Sequence, residues 1–159
     1  MKTNTIKIPY RIFSNRTEMT SEESELMAMA EEASFSAYAP YSKFRVGAAV
    51  RLENDKIVLG NNQENAVYPE GLCAERVALF SAMAQYPDEK IKTIAIYGCP
   101  IKYEPDYCVT PCGACRQVLV ECEQRSNSNI NVLCGGTAEE IVAVESAKYL
   151  LPLGFNFKM

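Results

Sequence analysis

Two short cysteine stretches constrain this chain more than any other feature. Cys73-Ala74-Glu75-Arg76 and Pro111-Cys112-Gly113-Ala114-Cys115-Arg116-Gln117 each open a predicted helix, and each helix follows a long loop leaving a predicted strand. For these sulfurs to act on one ion, two helix starts far apart in sequence must meet in space. Open α/β sheets permit this, because sites gather at the carboxyl ends of strands, where strand-to-helix loops emerge.

The remaining pattern agrees with such a sheet. Thr20-Ser21-Glu22-Glu23 fits a capping box, so a helix starts at Thr20. Leu26, Ala30, Ala33 and Ala37 then recur at helical spacing, and Pro40 forbids further extension. Residues 45–52 and 57–60 are β-rich and flank Glu53-Asn54-Asp55-Lys56, which reads as a hairpin. Residues 61–72 form a polar loop, 73–85 a second helix stopped by Pro87, and 91–97 a strand. Residues 99–111 hold three prolines and form another loop, followed by a third helix over 113–123. Strands at 130–134 and 140–144 flank a turn at Gly135-Gly136, and 146–151 form a short last helix. Helices and strands in this order predict a three-layer α-β-α fold with a central mixed five-stranded sheet. Residues 1–19 lack periodicity and read as an N-terminal extension docked through Ile6, Ile8, Tyr10 and Phe13, leaving one domain over 20–159.

A length of 159 residues suits a single domain. One absence narrows the chemistry: the chain has no histidine. That rules out a Ser-His-Asp triad, a Cys-His pair and an HExxH zinc site. Acid/base work near neutral pH falls to a carboxylate, Lys, Tyr, Cys or a metal-bound water. The net charge of −4, with basic residues scattered, argues against a nucleic-acid partner. Glu18, Glu22, Glu23, Glu25, Glu31 and Glu32 cluster around the first helix and read as a solvated face. The first seven residues lack the apolar core of a secretory signal. No apolar run approaches the ~20 residues that span a bilayer, so no membrane partner is expected and the chain reads as cytoplasmic. Thiols stay reduced there, so the 7 cysteines are ligands, nucleophiles or packing residues rather than a disulfide framework.

A helix N-terminus carries partial positive charge and favours thiolate over thiol. Cys112 and Cys115, at i and i+3, share a helix face and can grip one ion. Cys73 completes a three-thiolate set if the helix starts meet. Zinc suits such ligands, and three of them leave a position for water. Glu75 converges on Cys73 only if Cys73 is still extended and the helix begins just after it, because i and i+2 on a helix point apart. Three thiolates outweigh the charge of a zinc ion. Helix N-termini would offset part of this, and Arg76 or Arg116 could donate to the sulfurs, Arg76 being the better placed. The cysteine motif alone leaves other readings open. Pro-Cys-Gly-Ala-Cys opening a helix also looks like a redox dithiol, and Cys108 or Cys99 could be the fourth ligand of a structural zinc. Cys99, Cys122 and Cys134 otherwise read as packing residues.

Taken together, C-x-E at 73–75 and P-C-x-x-C at 111–115 resemble the zinc deaminases, which carry H-x-E or its three-cysteine variant followed by P-C-x-x-C. The longer stretches PYSKFRVGAA (40–49), NQENAVYPEGLCAER (62–76) and TPCGACRQ (110–117) resemble the free-nucleoside, single-domain cytidine deaminases, as does Leu150-Leu151-Pro152 followed by Phe155. The resemblance implies zinc-dependent hydrolysis of cytidine and deoxycytidine to uridine and deoxyuridine with release of ammonia, a pyrimidine salvage reaction. It implies one zinc per subunit on Cys73, Cys112 and Cys115, with Glu75 as proton shuttle. It implies that Asn62 and Glu64 bind the ribose hydroxyls, that Phe44 packs near the pyrimidine and that the backbone around Ala74 contacts the base edge. Phe155 would stack on the base from a neighbouring subunit of a homotetramer with shared sites. One departure stands next to Phe44: Arg45 occupies a position where the family commonly has proline.

Overall fold

The computed structural model describes residues 1–102 and 108–155. Six strands form one mixed sheet in the order β1-β6-β5-β4-β2-β3. They are β1 (Arg11–Phe13), β2 (Phe44–Leu52), β3 (Ile57–Asn61), β4 (Ile91–Pro100), β5 (Asn131–Gly136) and β6 (Ile141–Val144). Helix α1 (Ser21–Ser34) covers one face, while α2 (Ala74–Gln85) and α3 (Gly113–Ser126) cover the other. The three-layer architecture is as expected, with six strands instead of five.

Strand direction sets where the cysteines go. β4 and β5 are parallel, β2 is antiparallel to β4, and β3 is antiparallel to β2. β3, β4 and β5 therefore all run the same way, although β2 lies between β3 and β4. The β3–α2 and β4–α3 connections leave the same edge of the sheet. β2 starts at that edge too, since Phe44 pairs with Pro100.

Two apolar layers hold the sheet in place. Ile94 and Ile96 of β4 face α2 and α3 with Leu79, Leu119 and Val132, whereas Ala95 and Tyr97 face α1 with Leu26, Met27 and Leu133. Burial on both faces explains why 94–97 is continuously apolar instead of alternating with polar residues.

The sixth strand comes from the N-terminal stretch. β1 pairs antiparallel with β6, and Phe13 is buried against the α1 layer. Ile6, Ile8 and Tyr10 do not dock; they are exposed, as is Ile12. Alternation in a strand explains it for β1: Phe13 and Ile12 point to opposite faces, and only the α1 face is covered there. α1 keeps its capping box, with Thr20 Oγ1 accepting from Glu23 N and Glu23 Oε2 accepting from Thr20 N. It ends at Ser34, short of Ala37, because the chain turns away to bridge Tyr38 to Gln63. Gly135 and Gly136, expected in a turn, close β5.

The acidic face of α1 is not merely solvated. Glu22 pairs with Lys92 (2.8 Å), Glu23 with Arg11 (3.1 Å), Glu25 with Arg51 and Glu31 with Arg16. The Glu22–Lys92 pair, exposed on both sides, contributes at most about 1 kcal/mol, whereas Arg51 and Glu23 are largely buried within their pairs. Their effect is to orient α1 against β1, β2 and β4. Among the described residues, no helix is long and apolar enough to cross a membrane.

Candidate functional site

Both cysteine-led helices begin in the same way. Cys73 is the N-cap of α2 (φ −70, ψ 153) and Cys112 the N-cap of α3 (φ −67, ψ 166); both are extended, and neither side chain caps its own helix. The condition for Glu75 to turn toward Cys73 is therefore met, because α2 begins at Ala74. A close approach fixes α2 on the sheet. A Cβ at Gly60 of β3 would lie 2.5 Å from Ala78 N and 2.6 Å from Ala74 O, so only glycine admits the first turns of α2 this near.

The three sulfurs converge. Cys112 Sγ lies 3.5 Å from Cys115 Sγ and 4.0 Å from Cys73 Sγ, and all three lie within 4.8 Å of one another. Tetrahedral zinc with ~2.3 Å Zn–S bonds needs sulfurs about 3.8 Å apart. The 3.5 and 4.0 Å separations straddle that value, so the donor set fits zinc. The alternatives lose ground on the same geometry. Cys108 donates to the Cys134 carbonyl (3.3 Å), and Cys99 sits by Ser34 Oγ (3.9 Å) with the α1 layer. Neither belongs to the cluster, so no fourth thiol joins it among the described residues. A simple dithiol is also a poor description, since Cys73 stands nearly as close to Cys112 as Cys115 does.

Charge around the sulfurs is arranged by neighbours. Contact with Cys115, then the Arg76 guanidinium whose Nη2 donates to Cys73 Sγ (3.5 Å), push the Cys73 thiol down to about 5. Cys115 is raised, because it holds its proton toward Cys73 and is buried. Arg116 does not donate to sulfur. Its Nε donates to Pro111 O (2.7 Å), Nη1 to Leu150 O (3.0 Å) and Nη2 to Thr110 Oγ1 (3.3 Å). Glu75 is 4% exposed beside this cluster. Burial, reinforced by the Cys73 charge, raises its carboxyl above the ordinary range.

A cleft of about 470 Å³ opens over Cys73 and Arg76, with Asn62, Glu64, Tyr41 and Tyr68 among its walls. Burial opposes ionisation of Glu64, but Ser42 and the Tyr41 and Ser42 backbone N–H groups outweigh it and hold the carboxyl below its ordinary range. Those two N–H groups donate to Oε2 at 2.9 and 3.3 Å. Asn62 is partly engaged: Oδ1 accepts from Val46 N (2.8 Å) and Nδ2 donates to Phe44 O (3.0 Å). One amide N–H and one lone pair remain. Ala74 is fully buried at the first position of α2. Phe44 opens β2 beside the end of β4, where a Cβ at Gly98 would meet its Cε1 at 3.0 Å. Phe155 is 72% exposed and is not a wall of this cleft; Gln117 Nε2 donates to its carbonyl (3.0 Å). Sequence reasoning missed Tyr41 and Tyr68, whose rings meet edge to face at 5.8 Å over the cleft. Tyr68-Pro69 at a 3-10 turn was the only local signal.

Comparison with known proteins agrees with this geometry. A family model described as the cytidine and deoxycytidylate deaminase zinc-binding region matches residues 20–128. The chain is 43% identical over 96 residues to a cytidine deaminase of Halalkalibacterium halodurans, covering 60% of this chain and 68% of that protein. It is 38% identical over 133 residues to a cytidine deaminase of Sporosarcina psychrophila, covering 83% and 90%. Its fold is similar to the crystal structure of cytidine deaminase from Burkholderia pseudomallei, with a TM-score of 0.72, 40% identity, and coverage of 86% of this chain and 100% of that one. On these grounds the chain belongs to the cytidine and deoxycytidylate deaminase family, hydrolases that act on carbon–nitrogen bonds.

Proposed function

We propose that this protein deaminates cytidine and deoxycytidine to uridine and deoxyuridine, releasing ammonia, as a pyrimidine salvage enzyme. The observation that carries the reading is a buried Glu75 set against three converging sulfurs, one of which, Cys73, lines an open cleft. Cys73, Cys112 and Cys115 hold one zinc per subunit, and bound zinc acidifies a water at neutral pH. Glu75 does the proton work. Its carboxylate takes one proton from the water that attacks C4 and delivers it to N3 of the ring, then takes the second proton from the new C4 hydroxyl and passes it to the 4-amino nitrogen, so that ammonia leaves as the C4 carbonyl forms. Raised by burial, the same carboxyl serves as base and acid, so no histidine is needed.

Substrate contacts follow from what remains unpaired. Glu64 and Asn62, the latter with spare amide capacity, line the cleft and accept from or donate to the ribose hydroxyls. The anionic Glu64 at that wall disfavours a phosphodiester, which supports a free nucleoside over a nucleic acid. Phe44 packs against the pyrimidine, and the backbone at Ala74 meets the base edge. Phe155, exposed on its own subunit, stacks on the base of a neighbour in a homotetramer with shared sites. The deciding experiment follows the loss of cytidine absorbance with purified, zinc-loaded protein, alongside deoxycytidine and a single-stranded oligonucleotide. Turnover of both nucleosides with an inert oligonucleotide is expected. Turnover of the oligonucleotide alone, or of none of the three, overturns the reading.

A further inference from the structure

The C-terminal segment lies along α3 and is held at three points by that helix. At its base, the buried Glu123 carboxylate accepts from Ala147 N (2.8 Å), Ser146 Oγ (2.9 Å) and Lys148 N (3.3 Å). In the middle, Arg116 Nη1 donates to Leu150 O (3.0 Å). At the tip, Gln117 Nε2 donates to Phe155 O (3.0 Å). The path between the last two points is constrained. Leu153 adopts φ 59, a left-handed conformation that a branched, 94% exposed leucine gains nothing from by itself. Such a conformation persists only where its surroundings over-determine it. Gly154 N closes the turn by donating to Leu151 O (3.1 Å).

Arg116 also reaches the other way. The same guanidinium donates to Pro111 O and Thr110 Oγ1, the two residues ahead of Cys112. One side chain thus joins the approach to the ligand-bearing turn to the segment that ends in Phe155. The planar five-donor fork of arginine can do this, and lysine cannot.

We propose that Arg116 and Gln117 are positioning residues that hold the 150–155 backbone on the first turn of α3, so that the Phe155 ring is presented by the same rigid body as Cys112 and Cys115. The proposal rests on the substrate-stacking role given to Phe155 above. It differs from that role in locating the control of Phe155 on α3 and not in the tail itself.

The test uses the zinc-loaded full chain. Gln117→Leu removes the tip tether at a half-buried position without touching the core. It is expected to speed hydrogen exchange at Gly154 N by roughly tenfold. It should raise the KM for cytidine roughly three- to tenfold, the factor set by losing one hydrogen bond, with kcat within about twofold. Metal content stays unchanged. Phe155→Ala raises KM at least as much, and the double variant shows no further rise, because the tether acts only through the ring. Arg116→Lys is the second variant, expected to speed exchange at Leu151 and Gly154 together. Unchanged exchange in both variants overturns the proposal, as does a KM rise in the double variant equal to the product of the single ones. Faster exchange combined with a normal KM in Phe155→Ala leaves the tether standing and removes the stacking role of Phe155.

Discussion

Helices α2 and α3 start alike and then diverge within the first turn. In each, an extended cysteine is the N-cap, and the residue three later reaches back to its sulfur. In α3 that residue is Cys115, 3.5 Å from Cys112. In α2 it is Arg76, also 3.5 Å from Cys73. α1 carries the ordinary form of the same arrangement in Thr20 and Glu23, where the two side chains satisfy backbone donors. The N-cap and N3 geometry is thus common to all three helices, and residue choice decides its use. At α3 it brings a second thiol to the cluster. At α2 it supplies a positive charge, and the position before it holds the buried Glu75, to which we assign the proton transfer.

The comparison can be broken by changing one helix at a time. The largest effect is expected from Cys115→Ala, which reduces α3 to one ligand. Metal analysis should show no retained zinc and activity should vanish, since zinc on a full ligand set contributes on the order of 10 kcal/mol. Retention of one zinc per chain would show that α3 is not the two-ligand helix. Next comes Glu75→Gln, which leaves both sets of sulfurs intact. It should lower kcat by ~10²–10⁴ with zinc still bound, because it removes only the proton carrier. A loss of zinc in that variant would move Glu75 from proton transfer to metal holding.

Smaller effects sharpen the difference. Arg76→Gln should weaken zinc retention against a chelator by roughly 10–100-fold. In metal-stripped protein it should also move the Cys73 thiol titration up from about 5, because the favourable guanidinium is gone. The smallest effect belongs to α1. Burial opposes ionisation of Glu23, yet the Thr20 and Arg11 hydrogen bonds outweigh it and lower its pKa. A carboxyl lowered on folding gives stability that is present above its unfolded value and is lost as pH falls through its folded value. Thermal melts between pH 6 and about pH 3 should therefore steepen less in Glu23→Gln than in the parent, while activity at neutral pH is retained. Identical slopes would leave the α1 cap without a share in acid stability.

The parts of the molecule that were legible in sequence are those with local causes. Thr20 and Glu23 announce α1, the Glu53–Lys56 interval announces the β2–β3 hairpin, and Pro87 stops α2. The pairing of Cys73 with Glu75 was legible as a condition on one residue's backbone, and that backbone is extended. The missed features depend on distant partners. Three residues, Arg11–Phe13, carry too little pattern to signal a strand, and only β6 makes them one. The acids of α1 looked solvated because Arg11, Arg16, Arg51 and Lys92 come from other elements. Asn62 read as a ribose ligand alone, whereas its amide also holds the backbone of β2, a contact 16 residues back in sequence.

The insertion of β2 between β3 and β4 has a consequence for the order of folding. Cys112 and Cys115 are three residues apart and meet within one helical turn. Cys73 is 39 residues from Cys112, and the strands that lead into their two helices are held apart by β2, which pairs on both sides. Loop-closure entropy makes the longer closure costlier by about 2 kcal/mol. The α3 pair is therefore a local event available to a partly folded chain, and the arrival of Cys73 is a late, topological one. A complete sulfur triad is in effect a reporter that the sheet has been assembled in its correct strand order.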